Sequence, residues 1–333
     1  MLRVDSLVFK ALRLPLEEAR AIAREVSTDA EVIRVEMTRG PCVARGESSP
    51  MARYGESLES VCAQIQAVMP AVLDLHSRED LAMLLPAGAA RNAVDSALWH
   101  LEAELHGRPA EATAGLTAPL PPVITAYTIS LKPPAEAAEV AVRERGRPLV
   151  KVKLGHFDED RARLEAIRRA APDSDLIVDA NEGWSLEQLK VMAPIARDLG
   201  VKLIEQPLHA TRDTPLEGVD WGVPLCADES CHTREDLDRV ARRYQVINIK
   251  LDKSGGLTEA LALARAARER GLGLMIGSTN GATLGIAPAF LVAQLCDFRD
   301  LDAPLFLAER EEEELAYDGS SLGWSKTRRW GIG

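Results

Sequence analysis

The stretch Leu149-Val-Lys-Val-Lys-Leu-Gly155 alternates apolar and basic residues in the way that a β-strand with one apolar face does. Because successive side chains of a strand point to opposite faces, Lys151 and Lys153 project to one side and the valines and Leu154 to the other. Two like charges on one face repel, which lowers the pKa of both lysines. Two explanations stay open: an exposed edge strand protected by lysines, or a strand whose lysines face negative charge in a polar pocket.

A strand-then-helix rhythm surrounds this stretch and repeats along most of the chain. Eight segments have strand character, at residues 123–130, 149–154, 176–179, 201–205, 225–228, 244–250, 272–276 and 298–302. Helical segments lie between most of them, at 158–171, 186–199, 234–243, 258–269 and 282–296. Three helix-breaking residues leave little room for a full helix after Glu205, namely Pro207, Pro215 and Gly218. Repeated units of this kind imply parallel strands with right-handed crossovers, and close to eight of them with polar strand ends favour an α/β fold of the (β/α) TIM-barrel type over a doubly wound sheet.

The first 118 residues differ in kind from the repeating region. They contain an alternating segment at 30–38 and helical segments at 57–68 and 91–105, and residues 115–122, with three prolines, are typical of a linker. The tail at 309–333, with the glutamate run 311–314, Trp324 and Trp330, matches no β/α unit. We therefore predict a first domain over residues 1–118, to which residues 306–333 return, and a barrel domain over residues 119–305.

Composition excludes several classes of partner. The formal net charge of -11 and the lack of a basic block argue against nucleic acid and anionic membranes. No apolar run approaches the length of a membrane span, and the first residues lack the features of a signal peptide. The cysteines are odd in number and not spaced as metal ligands, which predicts reduced thiols and a cytoplasmic protein. They are Cys42, Cys62, Cys226, Cys231 and Cys296.

Three carboxylates close successive predicted strands. Asp179, Glu205 and Asp228 are separated by 26 and 23 residues, which is about one β/α unit each. In a barrel this spacing places them side by side at the C-terminal rim, where active sites of that fold are built. Converging carboxylates need a cation, and all-oxygen ligands suit Mg²⁺, or Mn²⁺ as a substitute, rather than zinc. The alternative for each acid is a simple helix N-cap.

One strand further along, Lys250 ends the segment Ile247-Asn-Ile-Lys250. Alternation places Lys250 on the inward side with the three acids, while Lys151 and Lys153 lie on the strand before Asp179. The lysines therefore flank the acids from both directions around the predicted ring. This is the geometry for acid–base chemistry on either face of a metal-bound substrate; the alternative is a set of lysines on solvated strand tips.

As a set, these motifs resemble the enolase superfamily in its muconate-lactonizing subgroup. The resemblance includes the Lys-x-Lys pair, the three acids, and Asn-Ile-Lys-Leu followed by Gly255-Gly256. The segment 91–100 followed by Gly107-Arg-Pro109 resembles the junction helix of that superfamily, with His100 in place of the usual Asp. The resemblance implies a modified barrel covered by an α+β capping domain, which the N-terminal segment and the C-terminal tail form together.

Within that superfamily the chain is most similar to dipeptide epimerases, notably those acting on L-Ala-D/L-Glu. Arg53-Tyr-Gly-Glu-Ser57 resembles their capping loop, and Asp300-Leu-Asp302 resembles their Asp-x-Asp motif. The resemblance implies that Asp300 and Asp302 hold the substrate ammonium and that Arg24 pairs with its glutamate side chain. It also implies substrate contacts from rim hydroxyls, at Thr128, Ser278 and Thr279. The alternatives are solvated acids at a strand end and an Arg24 that lies on the surface.

The resemblance implies a Mg²⁺-dependent epimerase that transfers a proton at the α-carbon of the second residue of a dipeptide. Lys153 and Lys250 would act as bases on opposite faces, with Lys151 as a charged group that binds the substrate carboxylate. An N-acylamino-acid racemase and an o-succinylbenzoate synthase use the same scaffold without needing the Asp-x-Asp motif. A non-catalytic binding barrel would require broken motifs. Glu17, Glu18 and Arg20 make the expected specificity loop unusually charged, and a homo-oligomer stays open.

Overall fold

The structure, a computed structural model, describes residues 3–310, 314–326 and 330–331. Its strands are β1 (Ser6–Ile22), β2 (Glu25–Arg39), β3 (Cys42–Ser48), β4 (Val123–Ile124), β5 (Tyr127–Ile129), β6 (Leu149–Lys153), β7 (Asp175–Asp179), β8 (Val201–Glu205), β9 (Leu225–Ala227), β10 (Val246–Ile249), β11 (Gly273–Gly277), β12 (Phe298–Asp300), β13 (Leu315–Asp318) and β14 (Ser321–Trp324). Its α-helices are α1 (Leu58–Leu73), α2 (Leu81–Leu84), α3 (Ala89–His106), α4 (Ala110–Thr113), α5 (Pro134–Arg143), α6 (Phe157–Ala170), α7 (Leu186–Asp198), α8 (Leu237–Val240), α9 (Leu251–Ser254), α10 (Leu257–Glu269) and α11 (Thr283–Ala293).

Strands β5 to β12 form one parallel sheet in which each strand pairs with its neighbour along the chain. The first and last strands close the ring through single hydrogen bonds. The Ala126 N–H donates to the Arg299 carbonyl at 2.8 Å, and the Leu301 N–H donates to Thr125 Oγ1 at 2.8 Å. The predicted (β/α) barrel is confirmed.

The two faces of the barrel strands carry different chemistry. Val150 and Val152 of β6 point outward into the apolar core between strands and helices. The inward side is apolar in its lower layer, where Ile177, Leu203 and Cys226 pack together. Since side chains alternate along a strand, the inward positions two residues beyond Ile177 and Leu203 are the carboxylates that close β7 and β8. The strand period therefore places the carboxylates of Asp179 and Glu205 directly above this apolar layer.

The N-terminal segment forms a separate antiparallel sheet, β1-β2-β3, packed against α1 and α3. β1 and β2 make a long hairpin with a register shift between Pro15 and Arg20 and a turn at Ala23 and Arg24. The tip of this hairpin crosses the mouth of the barrel. A Cβ added to Gly155, just after β6, would lie 2.5 Å from the Ala23 Cβ, so this close approach requires glycine. Together the sheet and the barrel confirm the predicted combination of a capping domain and a barrel.

The described residues of the C-terminal tail contact both parts of the molecule. Leu307 forms a single bridge with Leu16 of β1, while β13 pairs with β14 and β14 pairs with β4 beside the barrel. The indole N–H of Trp330 donates to the Arg45 carbonyl in β3 at 3.1 Å. The domain limits at 1–118, 119–305 and 306–333 stay a prediction. Of the predicted tail, residues 311–313, 327–329 and 332–333 lie outside the described residues.

Several elements differ from the sequence prediction for identifiable reasons. The segment after Glu205 contains two single 3₁₀ turns, as its prolines predict, and 234–243 forms a 3₁₀ turn followed only by the short α8. The predicted strand 123–130 is divided into β4 and β5, which join different sheets. Strand β1 was missed because its apolar residues change face along the strand, from Leu7 and Phe9 to Leu14 and Leu16, which belong to different apolar clusters. No described helix is long and apolar enough to cross a lipid bilayer.

A buried carboxylate joins the N-terminal segment to the barrel. Asp95 of α3 accepts hydrogen bonds from the Thr258 N–H at 3.0 Å and from the Thr258 hydroxyl at 2.5 Å, at the N-terminus of α10. Gly256 precedes this helix with φ 114°, and a Cβ there would lie 2.4 Å from Asp95 Oδ2. Asp95 therefore caps a barrel helix from another part of the fold, where the helix dipole favours negative charge.

We expect Asp95→Ala to lower the free energy of unfolding by about 1–3 kcal/mol, because the cap is lost and a buried donor loses its partner. Urea denaturation of the purified protein measures this change. The matched control is Asp198→Ala, since that carboxylate is 68% exposed and pairs only with the adjacent Arg197 among the described residues. Equal midpoints for Asp95→Ala and the control would contradict the capping role.

Candidate active site

Three buried carboxylates meet at the carboxyl ends of β7, β8 and β9. In the sheet register Asp179 lies opposite Glu205, and Asp228 comes one residue after β9. All three residues are at most 1% exposed. The structure therefore brings together the acids that the sequence places one β/α unit apart.

Lys151 lies among these acids. Its Nζ is 3.2 Å from Asp179 Oδ2, 2.7 Å from Glu205 Oε2 and 2.7 Å from Asp300 Oδ2. Lys153, two residues further along the same strand, donates to Asp179 Oδ2 at 2.7 Å. The lysine pair of β6 therefore faces negative charge in a pocket, and the alternative of an exposed edge strand is wrong.

On the other side of the acids, Lys250 donates to Asp228 Oδ2 at 2.7 Å. Lys253 donates to Asp228 Oδ1 at 2.8 Å and to the Asn248 carbonyl at 3.0 Å, and the Asn248 amide donates to Glu205 Oε1 at 2.7 Å. Lysines thus approach the acid cluster from both directions around the ring.

The charges in this cluster perturb one another strongly. Burial opposes the charged form of Lys151, yet the carboxylates of Asp300, Glu205 and Asp179 raise its pKa well above the usual value. Lys250 behaves alike: Asp228 and Glu205 outweigh burial and raise its pKa. For Lys151, three carboxylates within 3.2 Å therefore determine the direction of the overall pKa shift, whatever the repulsion that Lys153 adds.

The pKa values of the acids shift in different directions. Burial raises the pKa of Asp179, but Lys153 and Lys151 outweigh it and lower that pKa. Burial together with the charge of Asp179 raises the pKa of Glu205. Glu205 is thus the acid whose ionised form most needs additional positive charge.

The donor set fits a hard divalent cation. Asp179, Glu205 and Asp228 supply only carboxylate oxygens, the ligands that Mg²⁺ prefers. Glu205 Oε2 is buried and accepts no hydrogen bond from the described residues, although Lys151 Nζ is near. The Asn181 N–H donates to Asp179 Oδ1 at 2.9 Å and orients that carboxylate. These residues could hold Mg²⁺.

A second group of polar residues lies at the first and last barrel strands. The Thr128 hydroxyl donates to Asp300 Oδ1 at 3.1 Å, and the Thr128 N–H donates to Asp302 Oδ2 at 2.6 Å. Burial and the adjacent Asp300 raise the pKa of Asp302 to about 6, while Arg20 acts in the opposite direction. The Ser278 hydroxyl donates to the Asp300 carbonyl at 3.3 Å. Three of the predicted substrate contacts therefore gather around Asp300.

Thr279 is held from the capping side of the site. Its hydroxyl makes a short hydrogen bond with the carboxylate of Asp252, which also accepts from the Ser49 N–H at 3.0 Å and the Asn92 amide at 2.8 Å. Asp252 thus connects the end of β3 and α3 to the loop after β11. The sequence argument missed this acid because its partners are distant in the chain.

Arg24, at the hairpin tip, reaches the barrel. Its Nη1 is 2.7 Å from Glu229 Oε1 and donates to the Asn181 carbonyl at 3.3 Å. Burial and the charge of Asp228 raise the pKa of Glu229 to about 7, against the effect of Arg24. Arg24 is therefore exposed at the hairpin tip and at the same time contacts residues beside the acid cluster.

A cavity of about 400 Å³ lies between the hairpin tip and the carboxyl ends of the barrel strands. The capping side contributes Arg20, Arg24 and Met51 among others, and the barrel contributes Lys153, Lys250 and both aspartates of the Asp-x-Asp motif. The cavity is therefore formed jointly by the hairpin, the loop after β3 and the strand ends.

Sequence reasoning missed Asn248, Lys253 and Glu229. Asn248 precedes Lys250 by two residues, so strand alternation alone could have placed both inward. Lys253 lies on the short helix α9, where the strand period no longer applies. Glu229 directly follows Asp228, and only the tertiary position of Arg24 shows its partner.

Comparisons with known proteins agree with this geometry. A family model described as Enolase C-terminal domain-like matches residues 134–317. An L-Ala-D/L-Glu epimerase of Escherichia coli strain K12 is 44% identical over 311 residues, covering 92% of this chain and 96% of the relative. An N-acetyl-D-glutamate racemase of a Pseudoalteromonas species is 42% identical over 287 residues, covering 86% of this chain and 90% of the relative.

Solved structures agree with the same fold. An enolase family member from Agrobacterium tumefaciens with homology to dipeptide epimerases, with bound sodium and L-Ala-L-Glu, has a TM-score of 0.94 at 44% identity, covering 98% of this chain and 99% of that one. A dipeptide epimerase from Methylococcus capsulatus, complexed with Mg and L-Arg-D-Lys, has a TM-score of 0.89 at 28% identity and covers 99% of both chains. Since the family model matches more than half of the chain and these proteins match nearly all of it, the chain belongs to the enolase C-terminal domain-like family, as its motifs predict.

Proposed function

We propose that this protein is an isomerase that epimerises the C-terminal residue of a dipeptide, with L-Ala-D/L-Glu as the expected substrate. The observation that carries the proposal is the order of groups on successive barrel strands: Lys153, Asp179, Glu205, Asp228 and Lys250. This order places a lysine on either side of a carboxylate cluster. The relatives named as epimerases and racemases support the same class of reaction.

Asp179, Glu205 and Asp228 would hold Mg²⁺, and Mn²⁺ is proposed as a substitute because it also accepts oxygen ligands. When bound, the metal would stabilise the negative charge that develops on the substrate carboxylate as the α-proton leaves. A lysine base combined with Mg²⁺ is already known for enolase-superfamily sites as a class.

Lys153 and Lys250 would be the two bases. Both line the cavity, and their Nζ atoms are held by different acids, each at 2.7 Å. One lysine would remove the α-proton and the other would deliver a proton to the opposite face. A base must be neutral, and the carboxylates that raise the pKa of Lys250 are the same groups that would ligate the metal. Lys151 would stay charged and bind the substrate carboxylate.

Specificity would come from both sides of the cavity. Asp300 and Asp302 would face the substrate ammonium, with Thr128, Ser278 and Thr279 holding or flanking them. The contacts of Arg24 with described residues use Nη1, so its other donors retain capacity for the side-chain carboxylate of glutamate. Arg24 would thereby act as both a ligand and a contact between the hairpin and the barrel.

Other functions use part of the same arrangement. An N-acylamino-acid racemase is favoured by one observation, the similarity to an N-acetyl-D-glutamate racemase. An o-succinylbenzoate synthase would use the same lysines and metal but would not need the Asp-x-Asp motif. A non-catalytic binding barrel does not explain why the three acids and both lysines are all present.

We further propose a cytoplasmic location, because the five cysteines are free thiols and such thiols persist in reducing compartments. A homo-oligomer stays a prediction that analytical ultracentrifugation would test. Neither proposal affects the chemistry of the site.

Replacing either base should strongly slow the interconversion of the two epimers without stopping all exchange of the α-proton with solvent. We expect Lys153→Ala and Lys250→Ala each to lower kcat by about 10²–10⁴-fold, the range for losing a general acid or base. In D₂O, each variant should still exchange the α-proton of one epimer, and the two variants should prefer opposite epimers. NMR of L-Ala-L-Glu and L-Ala-D-Glu measures both quantities.

The control for these variants is Lys190→Ala, because Lys190 is exposed on α7 and pairs with Glu187. Its activity should equal that of the unmodified protein. Interconversion of both epimers by Lys153→Ala or Lys250→Ala at the rate of the unmodified protein would contradict the two-base mechanism.

Metal removal provides a separate test. Treatment with EDTA should reduce epimerisation to background, because three buried carboxylates then lack their cation, and added Mg²⁺ should restore it. Circular dichroism before and after treatment controls for unfolding. Full activity in a protein shown by elemental analysis to be free of metal would contradict the proposed cofactor.

A further inference from the structure

One basic side chain in the cavity has no part in the mechanism described so far. Arg20 lies on β1, and its Cζ is 3.3 Å from the centroid of the Phe306 ring. Its Nη2 donates to the Thr128 carbonyl at 3.4 Å. Stacking on an aromatic face and one hydrogen bond fix the guanidinium in the cavity wall, away from the metal ligands.

Thr128 connects Arg20 to the aspartates of the Asp-x-Asp motif. Its carbonyl faces Arg20, its N–H faces Asp302 and its hydroxyl faces Asp300. Both oxygens of Asp300 are engaged, since Oδ2 accepts from Lys151 at 2.7 Å. Burial lowers the pKa of the Arg20 guanidinium, and the negative charges of Asp302 and Asp300 oppose that shift. Arg20 in turn opposes the rise in the pKa of Asp302. Each aspartate therefore has a cation of the protein nearby.

The cations beside Asp300 and Asp302 would affect how the N-terminal end of the substrate binds. A dipeptide such as L-Ala-Glu carries an ammonium there, and that ammonium would meet a guanidinium as well as two carboxylates. N-acetylglutamate has the same amide and the same two carboxylates but no ammonium. Its acyl oxygen can accept a hydrogen bond from a guanidinium, and like charges no longer oppose its entry. In both substrates only the Cα–H bond breaks and re-forms.

We propose that Arg20 is a specificity-determining residue that offsets the charge of Asp302 and thereby adapts the N-terminal subsite to N-acylated glutamate without an ammonium. The proposal rests on the proposed proton transfer at the α-carbon. It assigns a role to the charged part of β1 that contains Glu17, Glu18 and Arg20, which the sequence had suggested to be a loop. It also implies that the ratio of activity on N-acetylglutamate to activity on the dipeptide depends on Arg20, which has no described contact with either proposed base.

The test compares L-Ala-L-Glu with N-acetyl-L-glutamate in D₂O for the Mg²⁺-loaded protein, Arg20→Met and Arg20→Lys. The unmodified protein should exchange the α-proton of both substrates. In Arg20→Met the ratio of kcat/KM for N-acetylglutamate to that for the dipeptide should fall by about tenfold or more, mainly through KM. Arg20→Lys should retain most of the ratio, because it keeps the charge.

Two further variants separate this role from a structural one. Asp302→Asn removes the acid that Arg20 offsets, so the same ratio should rise. This variant is cleaner than Asp300→Asn, which would also disturb Lys151. Arg13→Met removes a cation from the same strand, where the side chain is 66% exposed and pairs with Glu31, and should leave the ratio unchanged.

The outcomes distinguish the two proposals. Exchange of the dipeptide alone by the unmodified protein, or an unchanged ratio in Arg20→Met, would overturn the role of Arg20 and leave the epimerase intact. Exchange of neither substrate would overturn the proposed function and this inference together. Thermal melting of each variant identifies one that has failed to fold; if Arg20→Met fails, the ratio in Arg20→Gln, which also removes the charge, decides the role of Arg20.

Discussion

The constraint on which the site depends is that its charges are buried. Asp179, Glu205 and Lys151 are at most 1% exposed, and an isolated ion at such a depth would be strongly unfavourable. The barrel meets this constraint by bringing cations and carboxylates together at the carboxyl ends of β6 to β10 and β12. Removing any single member leaves an uncompensated buried charge, so these groups behave as a unit rather than as independent pairs.

The strand period creates this arrangement. Inward positions alternate with outward ones, so the apolar residues Ile177 and Leu203 fill the lower barrel directly below Asp179 and Glu205. The same alternation directs Val150 and Val152 to the helices. Because both patterns are local, the barrel, the acids and the flanking lysines could be predicted from spacing alone.

What the sequence did not predict depends on contacts between distant segments. The pairs Arg24–Glu229 and Thr279–Asp252 join residues more than twenty positions apart, and no local period marks them. The overall rise in the pKa of Lys151 likewise depends on carboxylates from other strands, which the spacing within β6 does not reveal. Strand β1 was missed because its apolar residues change face along the strand, which interrupts the alternation that identifies a strand.

The hairpin of β1 and β2 carries Arg20 and Arg24, whereas the five groups of the lysine and acid ring all lie on the barrel. A register shift between Pro15 and Arg20 separates the outer part of the hairpin from the ladder below it. Substitutions near the tip therefore leave the ladder below it and the five barrel groups in place, although they change the partners of Glu229 and Asp302. Such a division would allow the range of molecules admitted to the cavity to change through residues of one hairpin, while the proposed proton-transfer groups stay fixed on the barrel.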